Sequence, residues 1–268
     1  MSIADSYDAI PYESTPFPET HPGHLACLAR LYGIDAAAPT QCTMLELGCA
    51  SGGNLIPLAA RLPDSRFLGV ELSPEQAEEG AARIAELGLR NCEIRQADIL
   101  DLEDDGTRYD YIVTHGVYSW SPPEVRERIM QLSSEWLSPR GVAYISFNAL
   151  PGWRMRGMLR DMLIHQVKDI ESPKARLEAA QSYLAFLEAG IGELEAAHID
   201  YLKEEITRIH RSHPSYLYHE YLETFNEPLL LQDFIATARR HGLDYLCDID
   251  QALQFPGYLG EQAEQVLS

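Results

Sequence analysis

The chain has 268 residues, 46% of them hydrophobic and 23% charged, the composition of a globular protein with its own core and not of a disordered one. Asp and Glu number 41 against 21 Lys and Arg, a net charge of −20. That balance argues against a binder of nucleic-acid backbones, whose affinity comes mainly from Lys and Arg, and is compatible with a cationic or basic partner or simply with solubility.

Residues 1–20 are polar, acidic and Pro-rich, unlike a secretory leader. Strand and helix signals then alternate from residue 43 to about 147. Residues 43–47 form a short apolar run ending at Gly48, and residues 66–71 form a second. Residues 92–96 alternate, and residues 109–114 and 142–147 are rich in aromatic and β-branched side chains. Residues 54–61, 73–87 and 123–137 read as helices. The second of these has Ser73 as N-cap, Pro74 at the first helical position, Gln76 at the capping-box position and Gly88 as its stop. Strands alternating with helices mean βαβ units and a mostly parallel α/β sheet with helices on both faces.

After Pro151-Gly-Trp153 the strand signal disappears. Leu177, Ala180, Leu184 and Leu187 recur at helical steps, Ile191, Leu194, Leu202, Ile206 and Ile209 continue them, and Gly190 and Gly192 predict a break. An insertion of two or three helices is expected. Residues 229–241 read as a helix stopped by Gly242, and residues 243–248 as a strand that returns the chain to the sheet. The expected organisation is an N-terminal cap or lid over 1–34, a ligand-binding α/β core over 35–154, a helical insertion after the fifth strand over 155–214, and a return to the core with a C-terminal tail over 215–268.

The strongest motif is Glu46-Leu-Gly48-Cys-Ala50-Ser-Gly52-Gly53-Asn54, between the first strand and the first helix of the sheet. Glycines there let the backbone approach a ligand closely, and ligands of open α/β sheets sit at the carboxyl ends of the strands. Gly48-x-Ala50-x-x-Gly53 is one substitution from a dinucleotide fingerprint, in which a pyrophosphate lies on the helix N-terminus. Glu46-x-Gly48-x-x-x-Gly52 instead fits a loop for S-adenosylmethionine (SAM). The acid decides between them. A carboxylate two residues before the first glycine repels a pyrophosphate and attracts the ammonium of a methionine moiety. Glu71 ends the second strand, where a carboxylate can accept from both ribose hydroxyls. Asp98 follows the third, placed to accept from an adenine amino group while Ile99 packs on the ring. Acids after three consecutive strands, joined to the glycine loop, predict SAM binding.

With these motifs the chain resembles a class I SAM-dependent methyltransferase. More particularly, it is similar to the family containing the rickettsial outer-membrane-protein lysine methyltransferases, whose members often carry a following regulatory domain. The resemblance is carried by Ser6-Tyr-Asp8, Tyr12-Glu-Ser14, Pro16-Phe-Pro18, Thr20-His-Pro22, Leu45 to Leu55, His115-Gly-Val-Tyr-Ser-Trp120, Asn148 with Pro151-Gly-Trp153, and His219-Glu-Tyr-Leu222. It implies a Rossmann-like sheet with Glu46, Gly48, Ala50, Gly52 and Asn54 around the methionine part of SAM. It implies Glu71 and Leu72 at the ribose, Asp98 and Ile99 at adenine, and His115 and Gly116 beside the sulfonium. It further implies an acceptor channel of Tyr118, Trp120, Asn148 and Trp153, closed by Tyr12 and Phe17, with His115 and Tyr118 in catalytic roles. The implied product is S-adenosylhomocysteine and the implied acceptor a protein lysine. Typical relatives continue well beyond this length, so a minimal member or a piece of a longer protein is expected.

Methyl transfer from a sulfonium is an in-line displacement for which a protein mainly supplies orientation and a dry site. Nothing in the sequence calls for a nucleophile, and there is no G-x-S-x-G. A lysine acceptor must first lose its proton, and only about one amine in 10³ is neutral at pH 7. Aromatic walls desolvate the ammonium and lower its pKa; the aromatic-rich stretches around 7–17, 118–120 and 153 suit that. His115 can accept a proton or fix backbone geometry. Two other readings stay open: a small-molecule N- or O-methyltransferase with the insertion as a pocket cover, and a SAM-binding regulatory module without turnover. The only lysines are Lys168, Lys174 and Lys203, which fits composition bias or a lysine-modifying enzyme that offers few lysines of its own.

The five cysteines are widely spaced without C-x-x-C, and no apolar run approaches the roughly 18 residues of a membrane helix. A soluble, reduced, cytoplasmic protein is expected, with no nucleic-acid or membrane partner. His21-x-x-His24, and His210-x-x-His213 with His219, have ligand-like spacing, but no Cys pair or H-E-x-x-H accompanies them, so no metal is expected. Arg154, Arg156 and Arg160 form a basic helical stripe that fits a bound carboxylate or pairing with local Asp and Glu, of which pairing is expected.

Overall fold

The computed structural model describes residues 8–12, 14–254 and 256–267; Ser6, Tyr7 and Glu13 of the sequence blocks above lie outside the described residues. One parallel sheet is built from β1 (Thr43–Leu47), β2 (Arg66–Glu71), β3 (Cys92–Gln96), β4 (Tyr109–Thr114) and β5 (Leu137–Ile145), in the order β3-β2-β1-β4-β5. The helices are α1 (Pro22–Leu31), α2 (Leu55–Arg61), α3 (Pro74–Leu87), α4 (Pro123–Trp136), α5 (Trp153–Val167), α6 (Pro173–Ile191), α7 (Ala197–Arg211), α8 (Pro214–Tyr221) and α9 (Leu231–Arg240), with a last one over Glu261–Leu267. Among the described residues, none is long and apolar enough to cross a membrane.

The period-2 pattern of β1 explains its place in the middle of the sheet. Leu45 and Leu47 point to one face, where they meet Ile112, Ile129, Met130 and Phe234 under α4 and α9. Met44 points to the other, with Phe67, Tyr111 and Val113 under α1 and α2. α3 starts as its sequence predicts: Ser73 Oγ accepts from Gln76 N at 3.2 Å, and Gly88 ends the helix at φ 65°. β1, β2 and β3 run outward in one direction and β4 and β5 in the other. The order therefore reverses between β1 and β4, and a crevice opens beyond their carboxyl ends.

Three expectations need correction. β5 begins at Leu137, because Tyr109 pairs with Leu137 and Tyr111 with Val142, leaving residues 138–141 as a bulge, and it ends at Ile145 instead of 147. Residues 243–248 form no strand; Leu243 packs into one face of the core and Leu246 into the other. Their alternation registers burial, whereas a strand needs a neighbouring backbone to accept its hydrogen bonds. The helical block also runs past residue 214. Leu217, Tyr218, Tyr221 and Leu222 join Leu159, Leu163, Leu184 and Ile206 in its core, and Ile10 from the N-terminal segment packs there too. Gly190 lies inside α6, and Gly192 ends it.

Candidate active site

The loop from β1 to α2 is held in shape by the acids around it. Glu46, at the end of β1, is 3% exposed. Asn54 Nδ2 donates to its Oε1 at 2.9 Å, while its Oε2 is buried with no partner. Burial first, opposed by the Asn54 bond and reinforced by Glu71, pushes the Glu46 carboxyl up to about 7. Glu71, at the end of β2, takes a backbone N–H on each oxygen: Ala50 N donates to Oε2 at 2.8 Å and Ser73 N to Oε1 at 2.9 Å. Its carboxyl is also pushed up by burial, with those bonds opposing. The Ala50 bond fixes the loop while Ala50 sits in the left-handed region at φ 48°. Asp98 Oδ1 accepts from Leu100 N at 2.9 Å and caps the short turn after β3.

An N-terminal strap closes this loop from above. Phe17 N donates to Asn54 Oδ1 at 2.9 Å, Asn54 Nδ2 also donates to Thr20 Oγ1 at 3.0 Å, and Gly53 N donates to Ser14 Oγ at 2.8 Å. Gly53 is required here by space: a Cβ would lie 2.3 Å from the Ser14 carbonyl oxygen. Phe17 stacks on His115, ring centres 3.8 Å apart, at the end of β4. His115 Nδ1 lies 3.2 Å from the Tyr144 hydroxyl. Burial lowers the imidazole's pKa, with Glu19 opposing, and so disfavours its charged form.

One cavity of about 470 Å³ joins these parts, within the usual size of a small-molecule site. Glu46, Glu71 and Asp98 all line it, with Gly48, Ala50, Asn54, Leu72, Ile99, His115 and Gly116. Tyr12, Phe17, Trp120, Asn148 and Trp153 line it as well. Trp120 and Trp153 meet edge to face at 6.0 Å, and Asn148 Nδ2 is a buried donor with no partner.

Two expected site residues are not on its wall. Tyr118 is 3% exposed and packs edge-on against Phe234 at 5.5 Å, beneath α4 and α9. The short turn Tyr118–Trp120 sends Trp120 to the cavity and Tyr118 to the core. Gly52, at φ 78°, has its missing Cβ directed at Ile94 and Ile56, so it shapes the loop's packing from outside the cavity. Conversely, Ser73, Gln76, Ser119, Phe147 and Glu220 line the cavity without having been read as site residues, and so do His219, weighed only as a metal ligand, and Arg156, weighed only as a carboxylate binder or ion-pair partner. Ser73 and Gln76 were legible only as a helix start, yet Gln76 Oε1 is also a buried acceptor without a partner. Glu220 lies within a block that the family resemblance had marked. The histidines spaced like ligands have other work: His21 Nδ1 accepts from Gly23 N at 2.9 Å, and His210 faces Glu188 at 3.4 Å. Arg160 caps α8 by donating to the Tyr221 and Glu223 carbonyls.

A methyltransferase domain is recognised over residues 45–143, and a predicted methyltransferase regulatory domain over residues 213–268. PKMT2 from Rickettsia typhi, solved in complex with AdoHcy, superposes with a TM-score of 0.86 at 33% identity, over 96% of this chain and 49% of PKMT2. RP028 of Rickettsia prowazekii is 33% identical over 88% of this chain and 94% of its own length. The chain belongs to the class I SAM-dependent methyltransferases of the rickettsial type. RP789, also of Rickettsia prowazekii, is 38% identical over 99% of this chain. The chain spans about half the length of RP789 and of PKMT2.

The strap at Gly53 gives a direct prediction. Gly53→Val is expected to push residues 14–20 off the loop and weaken AdoHcy binding about tenfold, roughly 1.4 kcal/mol. Limited proteolysis should then cut within residues 14–20 faster than in the wild type. An unchanged cleavage pattern would show that the strap does not depend on this contact.

Proposed function

We propose that this chain is a SAM-dependent methyltransferase that methylates lysine side chains of a protein. The observation that carries the reading is one cavity lined by Glu46, Glu71 and Asp98 and also by Tyr12, Trp120 and Trp153. The likeness to PKMT2, crystallised with AdoHcy, supports it, as does the resemblance to the rickettsial lysine methyltransferases.

The buried polar atoms left without partners fit the cofactor. Glu46 Oε2 would receive the amino group of the methionine part. Glu71, already oriented by Ala50 N and Ser73 N, would use its remaining lone pairs for the ribose hydroxyls. Asp98 would accept from the adenine amino group, with Leu72 and Ile99 against ribose and ring. When bound, SAM supplies a methyl group made electrophilic by a positively charged sulfur. The protein's own part is to align the acceptor nitrogen and exclude water. Phe17 and His115 close the site by ring contact, and the burial that disfavours charge on His115 also limits its repulsion of a cationic donor. Tyr12, Trp120 and Trp153 would desolvate the acceptor ammonium and so raise its neutral fraction. Because the neutral amine reacts, turnover is expected to rise up to about tenfold per pH unit below the acceptor's pKa.

The test is transfer of tritium from methyl-labelled SAM to basic proteins and, in parallel, to a panel of small amines and hydroxy compounds. Label on a defined lysine, located by mass spectrometry, is the expected result. Label confined to small acceptors would overturn the lysine assignment. Tight AdoHcy binding with no labelled acceptor would overturn catalysis and leave a binding module.

A further inference from the structure

The block His219-Glu-Tyr-Leu222 lies on and just after α8, in the helical block and away from the sheet, yet two of its side chains reach the cavity. Three of the four have evident structural work. His219 Nε2 donates to the Ile10 carbonyl at 2.6 Å, and its Nδ1 lies 2.8 Å from Glu223 Oε1, which ties the N-terminal segment to α8. The Tyr221 hydroxyl donates to buried Glu205, and Leu222 is in the core. Glu220 has no such structural work. Its side chain is 18% exposed, it lines the cavity, and its ion pair among the described residues is Arg156 Nη1 at 3.8 Å.

That ion pair is loose because Arg156 is engaged elsewhere. Its Nε lies 3.1 Å from Glu205, and its guanidinium sits over the Trp153 ring at 4.9 Å. A 3.8 Å separation is beyond hydrogen-bond distance. Burial pushes the Glu220 carboxyl up, with Arg156 and then His219 opposing and Glu205 adding to the rise. A largely buried carboxylate with Arg156 at 3.8 Å, with His219 and Arg160 acting on it as well and no hydrogen-bonded cation among the described residues, is costly, and a cation brought into contact with it would offset that cost. Aromatic rings share the cavity with Glu220: Trp120, Trp153, which carries Arg156 over its face, and Tyr12, which meets His219 edge-on at 5.5 Å.

We propose that Glu220 is the residue that selects a cationic acceptor, its carboxylate seating the incoming ammonium group beside Trp153 and Tyr12. The inference deepens the lysine reading above and names the group that recognises the acceptor's charge before the proton is lost.

The probe is n-butylammonium, a lysine side chain without its backbone, titrated by NMR into the AdoHcy-loaded protein alongside pentanol and pentanoate of similar length. The wild type is expected to bind n-butylammonium at least tenfold more tightly than pentanol and to reject pentanoate. Glu220→Gln is expected to lose at least tenfold of the n-butylammonium affinity, with AdoHcy affinity unchanged as evidence of an intact fold. Glu220→Asp should recover part of the loss. Equal n-butylammonium binding by wild type and Glu220→Gln, no binding by the wild type, or preference for pentanoate, which would assign the pocket's selectivity to Arg156, each overturns the proposal. With a lysine peptide, the Glu220→Gln effect should fall mainly on KM. If no lysine is ever labelled but n-butylammonium binding still depends on Glu220, the lysine assignment falls and the cation seat stands. If lysine is labelled with KM indifferent to Glu220→Gln, the seat falls and the lysine assignment stands.

Discussion

Glu46→Gln is expected to stabilise the ligand-free protein at pH 8 and to weaken AdoHcy binding by about 100-fold or more. Both effects come from one buried oxygen with no partner, Oε2. The Glu46 carboxyl is pushed up to about 7, above the roughly 4.3 of an unfolded glutamate. A raised acid favours the fold when protonated, so its contribution is full below about pH 4.3 and is lost as pH rises through about 7, an amount on the order of 3 kcal/mol. Gln does not titrate and keeps an oxygen for Asn54, so the variant should lack this loss and be more stable than wild type at pH 8 by about 1–3 kcal/mol. On the proposed reading, the ligand's amino group needs the ionised acid. Wild-type AdoHcy affinity should therefore fall as pH drops below about 7, with proton release on binding in that range. Removing the charge leaves the ligand's ammonium buried and unpaired, a loss of about 3 kcal/mol or more. Urea unfolding across pH and calorimetry in buffers of differing ionisation enthalpy read out the two effects. A variant that binds AdoHcy as tightly as wild type would remove Glu46 from the cofactor site.

Arg156→Met should destabilise the fold by about 3–5 kcal/mol at pH 7. Glu205 is 1% exposed, and its charge is met by Arg156 at 3.1 Å, by Arg208 at 3.4 Å and by the Tyr221 hydroxyl. Losing Arg156 leaves Glu205 to Arg208, whose side chain is 55% exposed and therefore screened. The double variant Arg156→Met, Glu205→Leu removes both charges and should recover most of the loss. Chemical denaturation of the two single variants and the double variant measures this. A single-variant cost below about 1 kcal/mol, or a double variant no better than the sum of the singles, would show that the pair is not coupled in this way.

Much of the cavity wall at the carboxyl ends of β1, β2 and β3 was readable because its signals are local and topology adds the rest. An alternating or apolar run such as 43–47 or 66–71 is a strand whichever fold it joins, and Ser73-Pro74 begins a helix by capping alone. Parallel strands carry their carboxyl ends to the same edge. Glu46, Glu71 and Asp98, each placed at or just past a strand end, were bound to converge once the βαβ order was recognised. The wall formed by the Tyr118–Trp120 turn, α5 and α8 offered less. Tyr118 and Trp120 sit two residues apart in one motif, and only the packing under α4 and α9 decides which enters the cavity. Arg156 and Glu220 are brought together by α5 and α8, far apart in the chain, so their loose ion pair has no local signature.

The order of residues alone thus determined the α/β class, β1 to β4, the glycine loop and its acids, and the presence of a helical insertion. Each follows from periodicity, capping or turn chemistry within a few residues of sequence. Tertiary structure alone decided that residues 243–248 pack without pairing, that α8 joins the helical core, that the strap from Ser14 to Thr20 locks onto Gly53 and Asn54, and that Glu220 faces the cavity. These depend on which distant backbone or charge arrives alongside, and that is set by the packing of the whole chain.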